Sequence, residues 1–139
     1  MLRRQITIST RERFQIIDIT AMVNSALKEE RVRDGILLIY CPHTTAAISV
    51  NESDPDLWID IINTLKRLIP VDAKYRHNSK YSGIAREMNA HAHIGNILIG
   101  RSVILPVVNG RLNLGTWQSI LFIEMDGPRN RRINLYFYT

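Results

Sequence analysis

The fold is decided by the stretch Ser102-Val-Ile-Leu-Pro-Val-Val-Asn-Gly-Arg-Leu-Asn-Leu114, in which two apolar runs flank Asn109-Gly110. Asn-Gly between apolar runs is the strongest short signal for a β-hairpin, because both residues tolerate the positive φ angles of a type I′ turn. Two more strands are predicted after the hairpin, from Ser119 to Met125 and from Ile133 to Tyr138, joined by a turn at Gly127-Pro-Arg-Asn130. Strands that follow one another in this way indicate an antiparallel sheet.

The first fifty residues predict four strands and one helix. Alternation predicts strands from Gln5 to Ser9 and from Phe14 to Ile19. A helix capped by Thr20 should run to about Asp34-Gly35. The apolar run from Ile36 to Cys41 is typical of a central strand buried on both faces, and Thr44 to Val50 resumes as strand after Pro42.

Two further helices are predicted before the hairpin. Pro55, preceded by Ser53 or Asp54 as the cap, starts a helix with a regular apolar stripe that Pro70 ends. The segment from Val71 to about Ser82 is polar and aperiodic and indicates a loop. A helix over Gly83 to Ile99 follows, with Ile84, Met88, Ile94, Ile97 and Leu98 as its apolar residues.

These elements predict an α+β fold. Strands grouped in runs, without strict βα alternation, favour a mainly antiparallel sheet with two to three helices packed on it. A chain of 139 residues is long enough for one core, so residues 1–139 are expected to form a single domain.

Composition limits the classes of protein that need consideration. No apolar run reaches the roughly 18 residues of a membrane span, and no signal peptide is recognisable, so we expect a cytoplasmic protein without membrane contact. The net charge is +5, but no basic run exceeds two residues and only 10 residues are aromatic, which disfavours nucleic acid as a partner. Arginine forks suit a small phosphorylated metabolite, but for most of the arginines an ordinary solvated surface is the favoured interpretation.

The candidate site rests on the four histidines. His43 follows Pro42 at a break between strand runs, where a bulge or edge can re-aim a side chain. His77 lies in the polar loop. His91 and His93 are two residues apart, so on a helix they point in different directions and at most one of them joins the site.

Other candidates lie near predicted strand ends. Asn51-Glu52 precedes a helix cap, Trp117-Gln118 precedes a strand, and Glu124 is a carboxylate inside an apolar strand, where it needs a partner. Their coincidence with the histidines suggests one site assembled from several segments.

The chemistry of these residues leaves alternatives open. Three neutral imidazoles, with or without a carboxylate, can hold a divalent metal such as zinc, whereas magnesium prefers carboxylates and water. The sequence contains no His-Glu-x-x-His motif, no cysteine pair, no nucleophile elbow and no glycine-rich phosphate loop.

The chain resembles the YjbQ or UPF0047 family. The resemblance covers nearly the whole chain and is carried by the following stretches: His43-Thr-Thr-Ala-Ala with Asn51-Glu52, Tyr75-x-His77-Asn, Asn89-Ala-x-Ala-His93, and Gly110-x-Leu-x-Leu-Gly115-Thr-Trp-Gln with Glu124-x-Asp126-Gly-Pro-Arg129. It implies an α+β homotrimer and weak thiamine-phosphate synthase activity, in which a pyrimidine diphosphate and a thiazole phosphate are joined with release of pyrophosphate.

The resemblance also implies a site formed by His43, His77 and His93 with nearby Asn51, Glu52, Trp117, Gln118 and Glu124, and we assign the following roles. His43, His77 and His93 form the set that holds a metal, zinc or magnesium, or faces phosphate. Glu124, Gln118 and Glu52 are the expected catalytic residues, and Asn51, Trp117, Thr44 and Arg129 are expected to bind substrate. Two alternatives remain: a metal-dependent hydrolase of a small phosphorylated or acyl substrate, and a non-enzymatic protein that binds a metal or metabolite.

Overall fold

The structure is a computed structural model that describes residues 1–81, 83–84 and 87–139. These residues form eight strands and four helices. The strands are β1 (Leu2–Ser9), β2 (Gln15–Asp18), β3 (Gly35–Tyr40), β4 (Ala46–Asn51), β5 (Ser102–Val108), β6 (Arg111–Leu112), β7 (Ser119–Glu124) and β8 (Asn130–Tyr138). The helices are α1 (Thr20–Glu29), α2 (Pro55–Leu68), α3 (Arg76–Ser79) and α4 (Ala90–Ile99).

The strands form two antiparallel sheets instead of one. The larger sheet has the order β1-β8-β3-β5-β6, and the smaller has the order β2-β7-β4. The predicted hairpin is present as β5 and β6, with positive φ at Asn109 and Gly110. The α+β class and the antiparallel pairing predicted from the sequence are confirmed.

The main core fills the space between the two sheets. Along β8, Ile133, Leu135 and Phe137 point inward, and they meet Ile120 and Phe122 of β7. The opposite face of β7, with Leu121 and Ile123, packs against α2 and α4 in a smaller cluster. The smaller sheet is therefore covered on both faces.

The outer face of the larger sheet has no helix on it among the described residues. Ile36 of β3 is 50% exposed there, beside its cross-strand neighbours Pro106 and Tyr138. The prediction that the run from Ile36 to Cys41 is buried on both faces is wrong, because only Leu37 and Ile39 of β3 face the core. The thiol of Cys41, just beyond the strand, is buried.

Helix α2 begins as predicted. Pro55 is its first residue, and the Asp54 carboxylate accepts a hydrogen bond from the Asp56 amide at 3.1 Å. Helix α1 ends at Glu29, earlier than predicted, because Arg31 adopts positive φ. The short helix α3 lies in the segment predicted to be a loop.

Helix α4 is shorter than predicted and buries a different face. It begins at Ala90, and the earlier part of the prediction includes Ala85 and Arg86, which lie outside the described residues. The small and polar residues Ala92, Gly95 and Asn96 are buried, whereas the predicted apolar residues of the helix are largely exposed. No helix of the described chain is both long and apolar enough to cross a membrane.

Candidate functional site

The three predicted histidines line one open pocket of about 490 Å³, which we call the histidine pocket. It lies where β4, α4 and β8 begin and where α3 ends. Its lining consists of Pro42, His43, Thr44, Thr45, His77, Tyr81, Glu87, Asn89, His93, Arg129 and Arg131. The structure thus brings together five of the predicted site residues: His43, Thr44, His77, His93 and Arg129.

The remaining predicted residues at the surface line a second pocket. Asn51, Glu52, Trp117 and Gln118, with Val50, surround a cavity of about 340 Å³ that we call the tryptophan pocket. It lies at the far end of β4, where Asn51 pairs with Ser119, while the histidine pocket lies beyond the Ala46 end. Within one chain, the two groups do not form the single site expected from the sequence.

The tautomer of His43 is fixed by the backbone of β8. Its Nε2 accepts a hydrogen bond from the Arg132 amide at 2.9 Å, so a neutral ring carries its proton on Nδ1. Burial lowers the pKa of His43, and the nearby Arg131 and Arg132 charges lower it further, which favours the neutral ring at pH 7. His43 therefore offers the pocket a hydrogen-bond donor.

His77 is oriented by a chain of polar groups. The Asn89 side chain donates from Nδ2 to the buried Asp126 carboxylate at 2.7 Å, so its Oδ1 faces His77 and accepts from the ring Nε2 at 2.9 Å. Arg129 donates to the same Asp126 carboxylate from Nη2 at 2.7 Å. One buried carboxylate thus positions both His77 and Arg129.

His93 and His91 have different environments on α4. The His93 ring lies edge-on to His77, with 4.8 Å between ring centroids, and burial and the nearby His77 lower its pKa. His91 is buried behind the pocket, where it donates from Nε2 to the Met125 carbonyl at 2.8 Å and contacts the Phe14 ring. The helix directs only His93 into the pocket.

Arg131 forms the floor of the histidine pocket through a buried ion pair. Glu124 is fully buried and accepts from Arg131 Nε at 2.8 Å and from its Nη2. The Thr10 hydroxyl donates to Glu124 at 2.7 Å, and Arg131 Nη2 also donates to the Thr45 hydroxyl at 2.9 Å. This geometry gives Glu124 a positioning role, because its oxygens are used inside the core and it does not line the pocket.

The three histidines do not fit a shared metal ion in this arrangement. A metal needs a nitrogen lone pair from each ligand, and neutral His43 has one nitrogen occupied by the Arg132 amide and the other protonated. His77 retains only Nδ1, because its Nε2 donates to Asn89. No three His, Cys, Asp or Glu residues in the described part of the chain are grouped as metal ligands.

Sequence reasoning did not single out Arg131 or Asn89 as site residues. For Arg131 a signal exists, since its position alternates in phase with Ile133 and Leu135 and so places its charge on the inner face of β8. For Asn89 the signals are its place just before the helix that carries His93 and its position in the stretch Asn89-Ala-x-Ala-His93 that carries the family resemblance.

Another cavity of similar size lies away from these residues. Its volume is about 520 Å³, and its polar lining includes Lys28 and Arg111, between α1 and β6. None of the predicted site residues lines it, so we assign the candidate chemistry to the histidine pocket.

The fold and pocket define a class: a single-domain α+β protein with two antiparallel sheets and a histidine- and arginine-lined pocket at one end. A sequence model of the UPF0047 protein YjbQ-like family matches residues 4–139. The chain belongs to the YjbQ, or UPF0047, family.

Relatives of known sequence agree with this assignment. A UPF0047 protein of Methanothermobacter thermautotrophicus is 44% identical over 132 residues, which are 95% of this chain and 88% of that protein. The UPF0047 protein YugU of Bacillus subtilis is 42% identical over 130 residues, covering 92% of each chain.

Solved structures share the fold. The protein APE1520 of Aeropyrum pernix K1 matches with a TM-score of 0.93 and 44% identity, over 99% of this chain and 98% of that one. A YjbQ/UPF0047 protein of Clostridium acetobutylicum matches with a TM-score of 0.88 and 40% identity, over 97% of this chain and 99% of that one. The names of these four relatives state no enzymatic activity.

Proposed function

We propose that the protein is a transferase of the thiamine-phosphate synthase type, which binds the phosphate groups of its substrates in the histidine pocket. It would join a pyrimidine diphosphate to a thiazole phosphate and release pyrophosphate. We also expect the chain to work as a homotrimer. The family resemblance supports the reaction class. The hydrogen-bond donors of the pocket support the binding of substrate phosphate groups there.

The observation that carries the proposal is the set of donors left unused in the pocket. Hydrogen bonds to described residues occupy Nε and Nη2 of both Arg129 and Arg131. The Nη1 group of each makes no hydrogen bond within the described residues, and His43 adds its Nδ1 proton. Each guanidinium is paired with a buried carboxylate, which fixes its position, and its free Nη1 group together with the neutral N–H donor of His43 suits a phosphate or diphosphate.

These donors fit the charge changes of the reaction. The bond between the pyrimidine methylene carbon and the diphosphate oxygen breaks, and the oxygen keeps the electron pair. The thiazole nitrogen supplies the pair for the new carbon–nitrogen bond. Donors held in place by buried carboxylates stabilise the leaving diphosphate without reorganisation, and losing one such donor typically lowers the rate by about 10² to 10³.

The two alternatives are weaker. A metal-dependent hydrolase needs a set of ligands with available lone pairs, which the histidines do not provide in this arrangement. A non-enzymatic metabolite-binding protein would use the same donors, so a measurement of turnover must accompany any measurement of binding.

The experiment has a binding arm and a turnover arm. Pyrophosphate binding is measured by titration calorimetry in the presence of EDTA, for the unaltered chain and for Arg129→Ala. Loss of a charge-assisted hydrogen bond should weaken binding by about 10- to 100-fold. Arg111→Ala is the matched control, because this exposed arginine lies outside the histidine pocket.

Each outcome has a distinct meaning. Equal pyrophosphate affinity in Arg129→Ala and Arg111→Ala contradicts the phosphate site. Pyrophosphate binding without product formation from the pyrimidine diphosphate and thiazole phosphate contradicts the transferase and leaves a binding protein.

A further inference from the structure

The outer face of the larger sheet carries three tyrosines. Side chains alternate between the two faces of a strand, so Tyr136 and Tyr138 of β8 lie on the face opposite the buried Leu135 and Phe137. Tyr40 of β3 lies on the same outer face. Tyr138 is 49% exposed, and the other two tyrosines are half-buried. We call this surface, with its neighbouring arginines Arg3 and Arg132, the tyrosine face.

The pairing of the strands holds the aromatic rings in a row. Tyr136 lies beside Leu38 of β3, and Tyr138 lies beside Ile36. Pairs of aromatic and aliphatic side chains across strands stabilise a sheet and restrict the orientation of the ring. Successive side chains on one face of a strand are about 7 Å apart, so each ring can contact a separate planar group.

The tyrosine face is basic and lacks acidic neighbours. Arg132 is exposed on β8, and Arg3 is exposed on β1 directly beside Tyr136. The five strands of this sheet, which are described throughout, contain no aspartate or glutamate, and all 13 acidic residues of the chain lie elsewhere. The inward-facing Arg4 and Arg131 are paired with carboxylates. Arg3 and Arg132 form no ion pair with a described residue, so their charges remain available to an anion.

This basic surface is not visible as a run of charges in the sequence. No basic run along the chain exceeds two residues, which disfavoured nucleic acid as a partner. The sheet changes this, because the pairing of β1 with β8 places residues from the two ends of the chain side by side. Between the two arginines, Gln5 and Asn134 form a cross-strand pair whose amide groups can both donate and accept hydrogen bonds.

We infer that the tyrosine face binds single-stranded nucleic acid, with the tyrosine rings stacking on bases and Arg3 and Arg132 contacting phosphates. Aromatic side chains on an open sheet stack on unpaired bases without requiring a particular sequence, and nearby arginines supply the contacts to the backbone. The tyrosine face and the histidine pocket share no residue, so this binding does not depend on the proposed transferase activity.

The test measures fluorescence anisotropy of a labelled oligouridylate and a labelled oligothymidylate with the full chain. Tyr136→Ala and Tyr138→Ala should each weaken binding by about 5- to 150-fold, because each removes a stacking surface. Tyr136→Phe and Tyr138→Phe are the matched controls, since phenylalanine keeps the ring, and they should bind almost as well as the unaltered chain. Thermal melts check that each variant is folded.

The dependence of affinity on salt tests the arginines. Arg132→Ala should make the slope of log affinity against log salt concentration shallower by about 0.7, the value for one phosphate contact on a single strand. The substitution keeps the backbone amide that binds His43. Arg67→Ala removes an equal charge from an exposed position of α2, which packs on the smaller sheet, and should leave the slope unchanged.

The outcomes separate this inference from its rivals. Binding of either oligonucleotide with the expected losses supports it, and a preference for the oligouridylate assigns a contact to the 2′-hydroxyl. Absence of binding by the folded protein overturns it, as does equal affinity of the alanine and phenylalanine variants. A loss confined to Arg129→Ala places the oligonucleotide in the histidine pocket and also overturns it. If Tyr138→Ala changes the sedimentation of the protein but not its affinity for the oligonucleotides, the face lies between copies of the chain and the inference is rejected.

Discussion

Replacement of Glu124 by Gln tests whether a buried ion pair builds the floor of the histidine pocket. Glu124 accepts two hydrogen bonds from Arg131, one from Thr10, and weaker ones from the Met125 and Asp126 amides at 3.1 and 3.2 Å. Gln keeps the shape of the side chain but removes its charge and turns an NH₂ group toward donors. Arg131 then remains buried with its charge uncompensated.

The expected loss in free energy of unfolding is large, because Arg131 stays buried without a charged partner. Removing one partner of a buried pair typically costs about 3–5 kcal/mol, because the remaining charge is still desolvated. A domain of this size has a free energy of unfolding of about 5–15 kcal/mol, so the loss is at least about a fifth of it. A double variant with Glu124→Leu and Arg131→Met should recover most of the loss, since it removes both charges together.

Urea unfolding at one fixed protein concentration measures these differences, because association would otherwise change the apparent stability. Arg4→Ala is the control, since Arg4 forms a solvent-exposed pair with Glu29 and Glu30 and should give a much smaller loss. A loss in Glu124→Gln no greater than that in Arg4→Ala refutes the reasoning. A double variant less stable than Glu124→Gln would also contradict it.

Two further predictions concern α4. Gly95→Ala should lower the free energy of unfolding by about 1–3 kcal/mol, because the added methyl overlaps the Met125 side chain. Urea unfolding measures the loss, with Asn63→Ala at an exposed position of α2 as the control. Equal stability of the two variants contradicts the prediction. Burial lowers the pKa values of His91 and His93, so the unfolded chain binds protons first as the pH falls. The free energy of unfolding should therefore fall between about pH 7 and pH 5. In thermal melts, His91→Phe should make this dependence of stability on pH less steep. An unchanged dependence contradicts the prediction that His91 contributes to it.

The elements that could be predicted from sequence are those specified by local chemistry. Asn109-Gly110 can adopt positive φ at little cost, and Asp54-Pro55 caps and starts a helix, so both features are readable from a few residues. The assignment of β7 and β8 to different sheets is not local. They follow one another in the chain, but their partners are distant in sequence, and no short pattern specifies which strand each will pair with.

Helix α4 shows a second limit. Its buried face consists of small and polar residues, and Asn96 donates to the His43 and Ala46 carbonyls at 3.1 and 2.7 Å. An apolar-stripe pattern therefore selects the wrong face of α4. In the same way, the role of His43 depends on the Arg132 amide, 89 residues away, which spacing of the histidines cannot reveal.

The single thiol of the chain has a practical consequence for labelling chemistry. Burial raises the pKa of Cys41 to about 11. At neutral pH only about one molecule in 10⁴ carries the reactive thiolate, and the sulfur is also shielded from reagents. A spin label, fluorophore or heavy-atom compound can therefore be directed to one introduced surface cysteine while the native residue stays in place.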